Sequence, residues 1–349
     1  MFKPNYENIV SCAKNIKPER IPLYEHIVDI DVIEKISGQP LKKHLNGEER
    51  DLNRYFQGYC NFYKDNGYDT VSYEYCVTDI LPYGGALSNK ITNPYITDEE
   101  KFNNYPWNDV FDLYVRNAAP YFDALKNNMP EGMRAVGGVG NGVFEVVQDL
   151  TGYENLCLMS FENEKLYHAV FQKAGELLFR IWEWFLANYA DVYCVCRFGD
   201  DLGFKSNTLL SPDDISENIF PVYKKIIQIV HGYGKPFLLH SCGCIFSIMD
   251  ELIDEVHIDA KHSNEDQIAL MSRWVNSYGS RIGNFGGIDT DAYVRMSDAD
   301  LKEYVTQIYK LAEQKEGGFA IGSGNSIPAY VNTEKFLLVN QTIRNLRGD

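Results

Sequence analysis

The sequence predicts an α/β fold, a single (β/α)₈ TIM barrel, and three observations carry that reading. Short β-type runs alternate with longer helical patterns along the whole chain, as a parallel sheet with helical crossovers requires. Eight such runs can be placed: Pro22 to Ile27, Thr70 to Cys76, Arg134 to Val139, Val192 to Phe198, Pro236 to His240, His257 to Ala260, Arg281 to Phe285 and Gly318 to Ile321. A length of 349 residues also suits one barrel as one domain, residues 1–349.

Taken in order, the first run follows Pro18-Glu-Arg-Ile-Pro22 and ends in Glu25-His26, and the second mixes Thr, Val and Tyr, residues that favour strands. Between the second and third strands, residues 84–129 form the least regular stretch, with Asn93-Pro-Tyr and Tyr105-Pro-Trp107. It reads as a long insertion over the barrel mouth, where such segments form substrate walls or lids, or cover apolar barrel surface. The third strand runs into Gly137-Gly-Val-Gly-Asn-Gly142. That loop lacks the G-x-G-x-x-G spacing of a dinucleotide fold, so an open doubly wound sheet is set aside.

Leu166 to Ala190 is a long helix rich in Phe, Leu and Trp. Ser211-Pro-Asp-Asp opens another, with Ser211 as N-cap and Pro212 at the first helical position. In Ile245 to Val256 the apolar residues Ile245, Ile248, Met249, Leu252 and Ile253 recur at helical spacing, which marks a core-facing stripe. Ser263 or Asn264 is expected to cap a helix starting near Glu265.

A net charge of −16 argues against nucleic acid or an anionic membrane as partner, since both call for clustered Lys and Arg. No apolar window reaches the roughly 18 residues of a membrane span, and no leading segment has the pattern of a secretory signal. The expectation is a cytoplasmic protein with no membrane partner. The eight cysteines are scattered along the chain and read as thiols, buried or metal-binding, rather than as a disulfide framework.

The most specific chemical signal is Lys235-Pro-Phe-Leu-Leu-His-Ser-Cys-Gly-Cys244. Side chains two apart on a strand share a face, so His240 and Cys242 can point at one ion where a buried strand emerges. Imidazole with thiolate is a pairing that zinc accepts. An isolated H-x-C is more often a hydrogen-bonded histidine beside a small buried thiol, but here the other strand ends supply company. They carry His26, Glu74, Cys76, Asn141, Arg197, Asp200, Asp201, Lys261 to Glu265, Asn284, Asp289, Ser323 and Asn325, on the rim where barrels gather reactive groups. Asp201 suits either an Asx-turn or a role as acid, base or substrate-orienting group. Cys194 and Cys196 lie inside their run and read as buried thiols.

In order and spacing these segments resemble the uroporphyrinogen decarboxylase-like superfamily, and within it the branch of zinc- and corrinoid-dependent methyltransferases. The resemblance spans nearly the whole chain. It rests on Pro18-Glu-Arg-Ile-Pro22, Gly199-Asp-Asp-Leu-Gly203 with Leu210-Ser-Pro212, Phe220-Pro-Val-Tyr223 and His231-Gly-Tyr-Gly-Lys-Pro236. It continues through His240-Ser-Cys-Gly243, Asn284-Phe-Gly-Gly-Ile-Asp289 and Gly322-Ser-Gly-Asn-Ser-Ile-Pro328. True uroporphyrinogen decarboxylases carry an arginine-rich segment near the amino terminus that grips an acidic porphyrinogen. This chain has Glu25-His26-Ile27-Val28-Asp29 there, without the charge-assisted bonds such a substrate needs.

The resemblance implies a zinc pair at His240 and Cys242 with a third ligand, commonly a cysteine in the last glycine-rich loop. The corresponding position here is Asn325, which leaves Glu74, Cys76 or Cys244. Glu74 is the expectation, because it ends a strand and a carboxylate keeps zinc a competent Lewis acid. The implied reaction moves a methyl group between a small methoxy, methylamine or thiol compound and a methylcobalamin-type corrinoid carried by a partner protein. Asp201 and His262 are then the expected catalytic residues, and His26, Asn141, Asn284, Asp289 and Asn325 the expected substrate contacts. Barrels of this kind often pair, so a homodimer is expected as well. Two alternatives stay open: a metal-free decarboxylase acting on a smaller acid, and a barrel that binds a ligand without catalysis.

Overall fold

The computed structural model describes residues 2–46 and 50–349. Its centre is a curled, seven-stranded parallel sheet in the order β1 to β7, compatible with a TIM-like barrel. The strands are β1 (Thr70–Cys76), β2 (Arg134–Gly140), β3 (Tyr193–Gly199), β4 (Phe237–His240), β5 (Ala260–His262), β6 (Gly283–Ile288) and β7 (Phe319–Ser323). Residues 22–28 run parallel to the free edge of β7, with bridges from Leu23 to Ile321 and from Val28 to Ile327. The predicted first strand is therefore an extended segment with isolated bridges. Pro22 has no N–H to give a ladder, and contact with β1 is made by a side chain, the Ser72 hydroxyl donating to the His26 carbonyl at 2.8 Å.

The run predicted at Thr70 to Cys76 is β1 with the same bounds, the remaining runs are strands with shifted ends, and the shift at β5 matters for the site. His257 sits at φ 64°, and Ile258 N–H donates back to the Leu252 carbonyl at 3.1 Å, closing the preceding helix. Pairing starts only at Ala260, so Lys261 and His262 lie within β5. The helix expected near Glu265 begins instead at Met271. Ser211 accepts from Asp214 N–H with Pro212 at the helix start, as its spacing predicts.

Within residues 84–129, Trp107–Asn127 is a helix packed against the helices Leu52–Asp65 and Glu164–Tyr189, where a crossover between β1 and β2 belongs. Residues 84–106 are tied to the helix Val143–Thr151. Gly85 and Leu87 N–H donate to the Asp149 carboxylate at 2.8 and 3.1 Å, and Ile96 N–H donates to the Leu150 carbonyl at 3.0 Å. No helix among the described residues is long and apolar enough to cross a membrane.

Alternation along the strands divides the space they enclose into two levels. Tyr24, Val136, Val195, Leu238, Ala260, Phe285 and Ala320 form the apolar level, sealed by Ile9, Cys12 and Ala13 of the helix Glu7–Ala13. Burying each larger side chain here contributes about 1.5–3 kcal/mol. Two residues further along come His26, Arg197, His240 and His262, while the matching positions of β2, β6 and β7 are Gly138, Gly287 and Gly322. With glycine at those positions, one imidazole cluster shares the upper level with the Arg197 guanidinium and its partner Glu74 of β1.

Candidate functional site

Arg197 anchors the upper level, with a side chain fully shielded from solvent. Its Nε and Nη2 donate to Glu74 Oε2 at 3.0 and 2.6 Å. Nη1 donates to the Tyr24 hydroxyl, the His26 carbonyl and the Ser72 hydroxyl at 2.8, 3.0 and 2.9 Å. A buried cation needs such an anion beside it, and this holds Glu74 against Arg197. The structure does not bring Glu74, Cys76 or Cys244 into either donor cluster that forms around His240 among the described residues.

The imidazoles form a directed relay. His262 Nε2 lies 2.9 Å from the Ser323 carbonyl, which can only accept, so that nitrogen carries a proton. In neutral imidazole the other nitrogen is then bare. His262 Nδ1 therefore accepts from His240 Nδ1, 2.7 Å away, and His240 Nε2 is left with an exposed lone pair. Burial holds all three histidines neutral, pushing His262 down to about 3 and His240 and His26 well below the usual histidine range. A ring nitrogen oriented through its opposite N–H is the usual second-layer arrangement of a metal-binding histidine.

His26 stacks on His240 with ring centroids 3.7 Å apart and planes within 4°. Although His26, His240 and His262 bring nitrogens within 4.8 Å of one another, they do not make a three-histidine ion site. Imidazole lone pairs lie in the ring plane, so stacked rings cannot converge on one ion. The 2.7 Å spacing of the other pair is also shorter than the about 3.3 Å separating two nitrogens on one tetrahedral zinc. His26 Nδ1 is buried without a hydrogen-bond partner among the described residues.

The His240 Nε2 lone pair faces Cys242 Sγ at 3.5 Å and Asp201 Oδ1 at 3.7 Å. These nitrogen, sulfur and oxygen donors form the second cluster. The loops after β3 and β4 cross to bring them together. A Cβ on Gly203 or Gly243 would strike the backbone of the opposite loop, and Gly243 has φ 83°, which only glycine adopts freely. Gly203 N–H donates to the Cys242 carbonyl at 3.2 Å, and Cys242 N–H donates to Asp201 Oδ1 at 2.9 Å. Cys242 Sγ also accepts from Asn325 Nδ2 at 3.3 Å and Ser263 Oγ at 3.6 Å. Burial, then the Asp201 charge, pushes the Cys242 thiol up. One imidazole, one sulfur and one carboxylate are donors that zinc accepts, and its binding would displace the thiol proton.

Sequence reading missed Glu145. It sits in the first turn of the helix Val143–Thr151, where a glutamate looks like an ordinary dipole partner. It accepts from Asn141 Nδ2 at 2.7 Å and from Asp201 N–H at 3.3 Å. Burial, then Asp200 and Asp201, raises it well above the carboxylate range. Asp200 caps the same helix, accepting from Phe144 and Glu145 N–H at 3.0 and 2.8 Å and from the Tyr223 hydroxyl at 2.6 Å.

Of the expected substrate contacts, Asn325 and His26 reach the site, and Asn141 is one bond removed through Glu145. Asp289 caps the helix Thr290–Arg295 and accepts from Asp266 N–H at 2.7 Å. Asn284 pairs with Lys261 in the sheet, on the face opposite Phe285. Ser263 and Asn264 do not cap a helix: Ser263 touches Cys242, and Asn264 Oδ1 accepts from Gly287 N–H at 2.8 Å. A groove of about 920 Å³ lined by Phe171, Phe179 and Val222 lies on the outer helices, apart from these residues.

The family profile described as Uroporphyrinogen decarboxylase (URO-D) matches residues 84–346. No curated protein sequence matches the chain. Among solved structures it is similar to a methyltransferase from Methanosarcina mazei, at 16% identity over 99% of both chains with a TM-score of 0.75. It is also similar to a proposed vitamin-B12 independent methionine synthase from Listeria monocytogenes, at 12% identity over 96% of this chain and 99% of that one, with a TM-score of 0.55.

Proposed function

The chain belongs to the uroporphyrinogen decarboxylase (URO-D) family, and within it we propose a zinc-dependent methyltransferase on a (β/α)₈ barrel, moving a methyl group between a small substrate and a corrinoid on a partner protein. The observation that carries this reading is the oriented donor set of His240 Nε2, Cys242 Sγ and Asp201 Oδ1. These residues would hold zinc, which supplies Lewis acidity toward the methyl-bearing or methyl-accepting heteroatom. The fold shared with a Methanosarcina mazei methyltransferase supports the same reaction class.

The chain's own groups divide the remaining work. Ser323 and His262 keep His240 in the tautomer that offers Nε2. Asn325 and Ser263 draw charge from the Cys242 sulfur, and a set with one thiolate favours an electrophilic site. Demethylation of a methoxy or methylamine donor is therefore the preferred direction. Glu145, whose carboxyl burial raises well above the usual range, is the group we assign to the leaving group's proton. An acid substrate would look for a free cation, whereas Arg197 is committed to Glu74 and Lys261 donates to the Ser263 carbonyl.

The test mixes zinc-loaded protein with reduced free cobalamin and methoxylated or methylamine donors, reading methylcobalamin by absorbance. Transfer from at least one donor class, absent in Cys242→Ala, is expected. Zinc-loaded protein that transfers no methyl group in this assay, and none from methylcobalamin to thiols, contradicts the reading.

A further inference from the structure

We propose that Glu25 is a positioning residue of the site: through Ser323 it fixes the relay that aims His240 Nε2 at Cys242 and Asp201. The inference rests on reading that donor set as the functional centre. Glu25 neighbours His26 in the chain and is 1% exposed. Its carboxyl oxygens accept from Ser323 N–H at 3.4 and 3.2 Å and from the Tyr68 hydroxyl at 3.4 Å. The other groups facing it are Tyr24, Tyr63 and Tyr293, none of them a cation.

Proton counting is consistent with a protonated Glu25. The Ser323 hydroxyl contacts both Glu25 Oε2 and the Asn325 carbonyl. A carbonyl only accepts, and a hydroxyl has one proton to give. With that proton on the Asn325 carbonyl, the contact to Glu25 closes only if the carboxyl carries its own. Burial favours the same neutral form. Ser323 is thereby held at its N–H and its hydroxyl, which leaves its carbonyl aimed at His262 Nε2. The same hydroxyl pins Asn325, whose amide reaches Cys242 Sγ. One buried acid thus steadies both approaches to the donor set.

The test reads histidine tautomers by long-range ¹H–¹⁵N NMR of ¹⁵N-histidine-labelled, chelator-treated protein, with zinc affinity measured in parallel. Wild type should show protons on His262 Nε2 and His240 Nδ1. Glu25→Gln, neutral with one acceptor and one donor, should keep both tautomers. Glu25→Met should lose them and weaken zinc binding, by at most the about 10–100-fold that loss of a ligand's own hydrogen-bond partner costs. Tyr68→Phe removes a bond to the same carboxyl without touching Ser323 and should leave the tautomers unchanged. If Glu25→Met does not fold, Ser323→Ala decides, with the same tautomer loss expected. Zinc binding by no form, wild type included, would count against the metal reading alone, because the tautomers are read without metal. Wild-type tautomers in Glu25→Met or Ser323→Ala, or Glu25→Gln behaving like Glu25→Met, would overturn the role of Glu25.

Discussion

Replacing Glu74 separates a buried ion pair from a metal ligand. Among the described residues Glu74 is the only acceptor for two of the three Arg197 nitrogens, at 3.0 and 2.6 Å, and the guanidinium is fully shielded from water. Glu74→Ala leaves that charge unpaired, and breaking a buried pair by removing one partner costs about 3–5 kcal/mol. Unfolding entropy of about 2.1 cal/mol/K per residue comes to roughly 0.7 kcal/mol/K over 349 residues, so Tm should fall by about 4 to 7 °C. The assay is thermal unfolding in chelator, which removes any contribution from bound metal, with zinc content measured separately. The double variant Glu74→Met with Arg197→Met should recover most of the loss, because apolar replacement of both partners is often close to neutral. Zinc content should survive in Glu74→Gln. An unchanged Tm together with lost zinc would refute this reasoning and restore Glu74 as a ligand.

Two further outcomes follow from the same geometry. His262→Phe keeps a flat ring but removes the acceptor for His240 Nδ1, so zinc affinity should fall about 10–100-fold; calorimetric titration showing no change would remove His262 from the relay. Lys261 lies 3.9 Å over the Trp274 ring, and burial pushes it down from 10.5 to about 7. Between those values the folded chain binds fewer protons than the unfolded chain, so this residue's contribution to stability rises with pH. The stability advantage of wild type over Lys261→Met should therefore grow from about pH 7 to 10 in urea denaturation, and a flat or falling difference counts against it.

Local pattern made His240 and Cys242 legible, because alternation on one strand needs no knowledge of the rest of the fold. Asp201 was legible as a strand-end carboxylate; its contact with Cys242 was not, since the crossing at Gly203 and Gly243 joins two loops about forty residues apart. The pairing of Glu74 with Arg197, 123 residues away, is likewise beyond the reach of local pattern. His262 was placed in a loop because the turn at His257 delays β5 by a few residues, and that shift points its ring inward. The pattern before Glu265 suits a helix cap at Ser263 or Asn264, and only the observed start of the next helix at Met271 frees Ser263 to touch Cys242. Pro22 disguised the first run, whose apolar pattern suits a strand but whose missing N–H breaks the ladder.

The central claim is the donor set of His240, Cys242 and Asp201, and elemental analysis of protein purified without a metal-affinity tag tests it most directly. The account predicts about one zinc per chain in wild type, lost in His240→Ala, Cys242→Ala and Asp201→Ala. Wild type that is free of metal and fails to take up zinc on titration would contradict it.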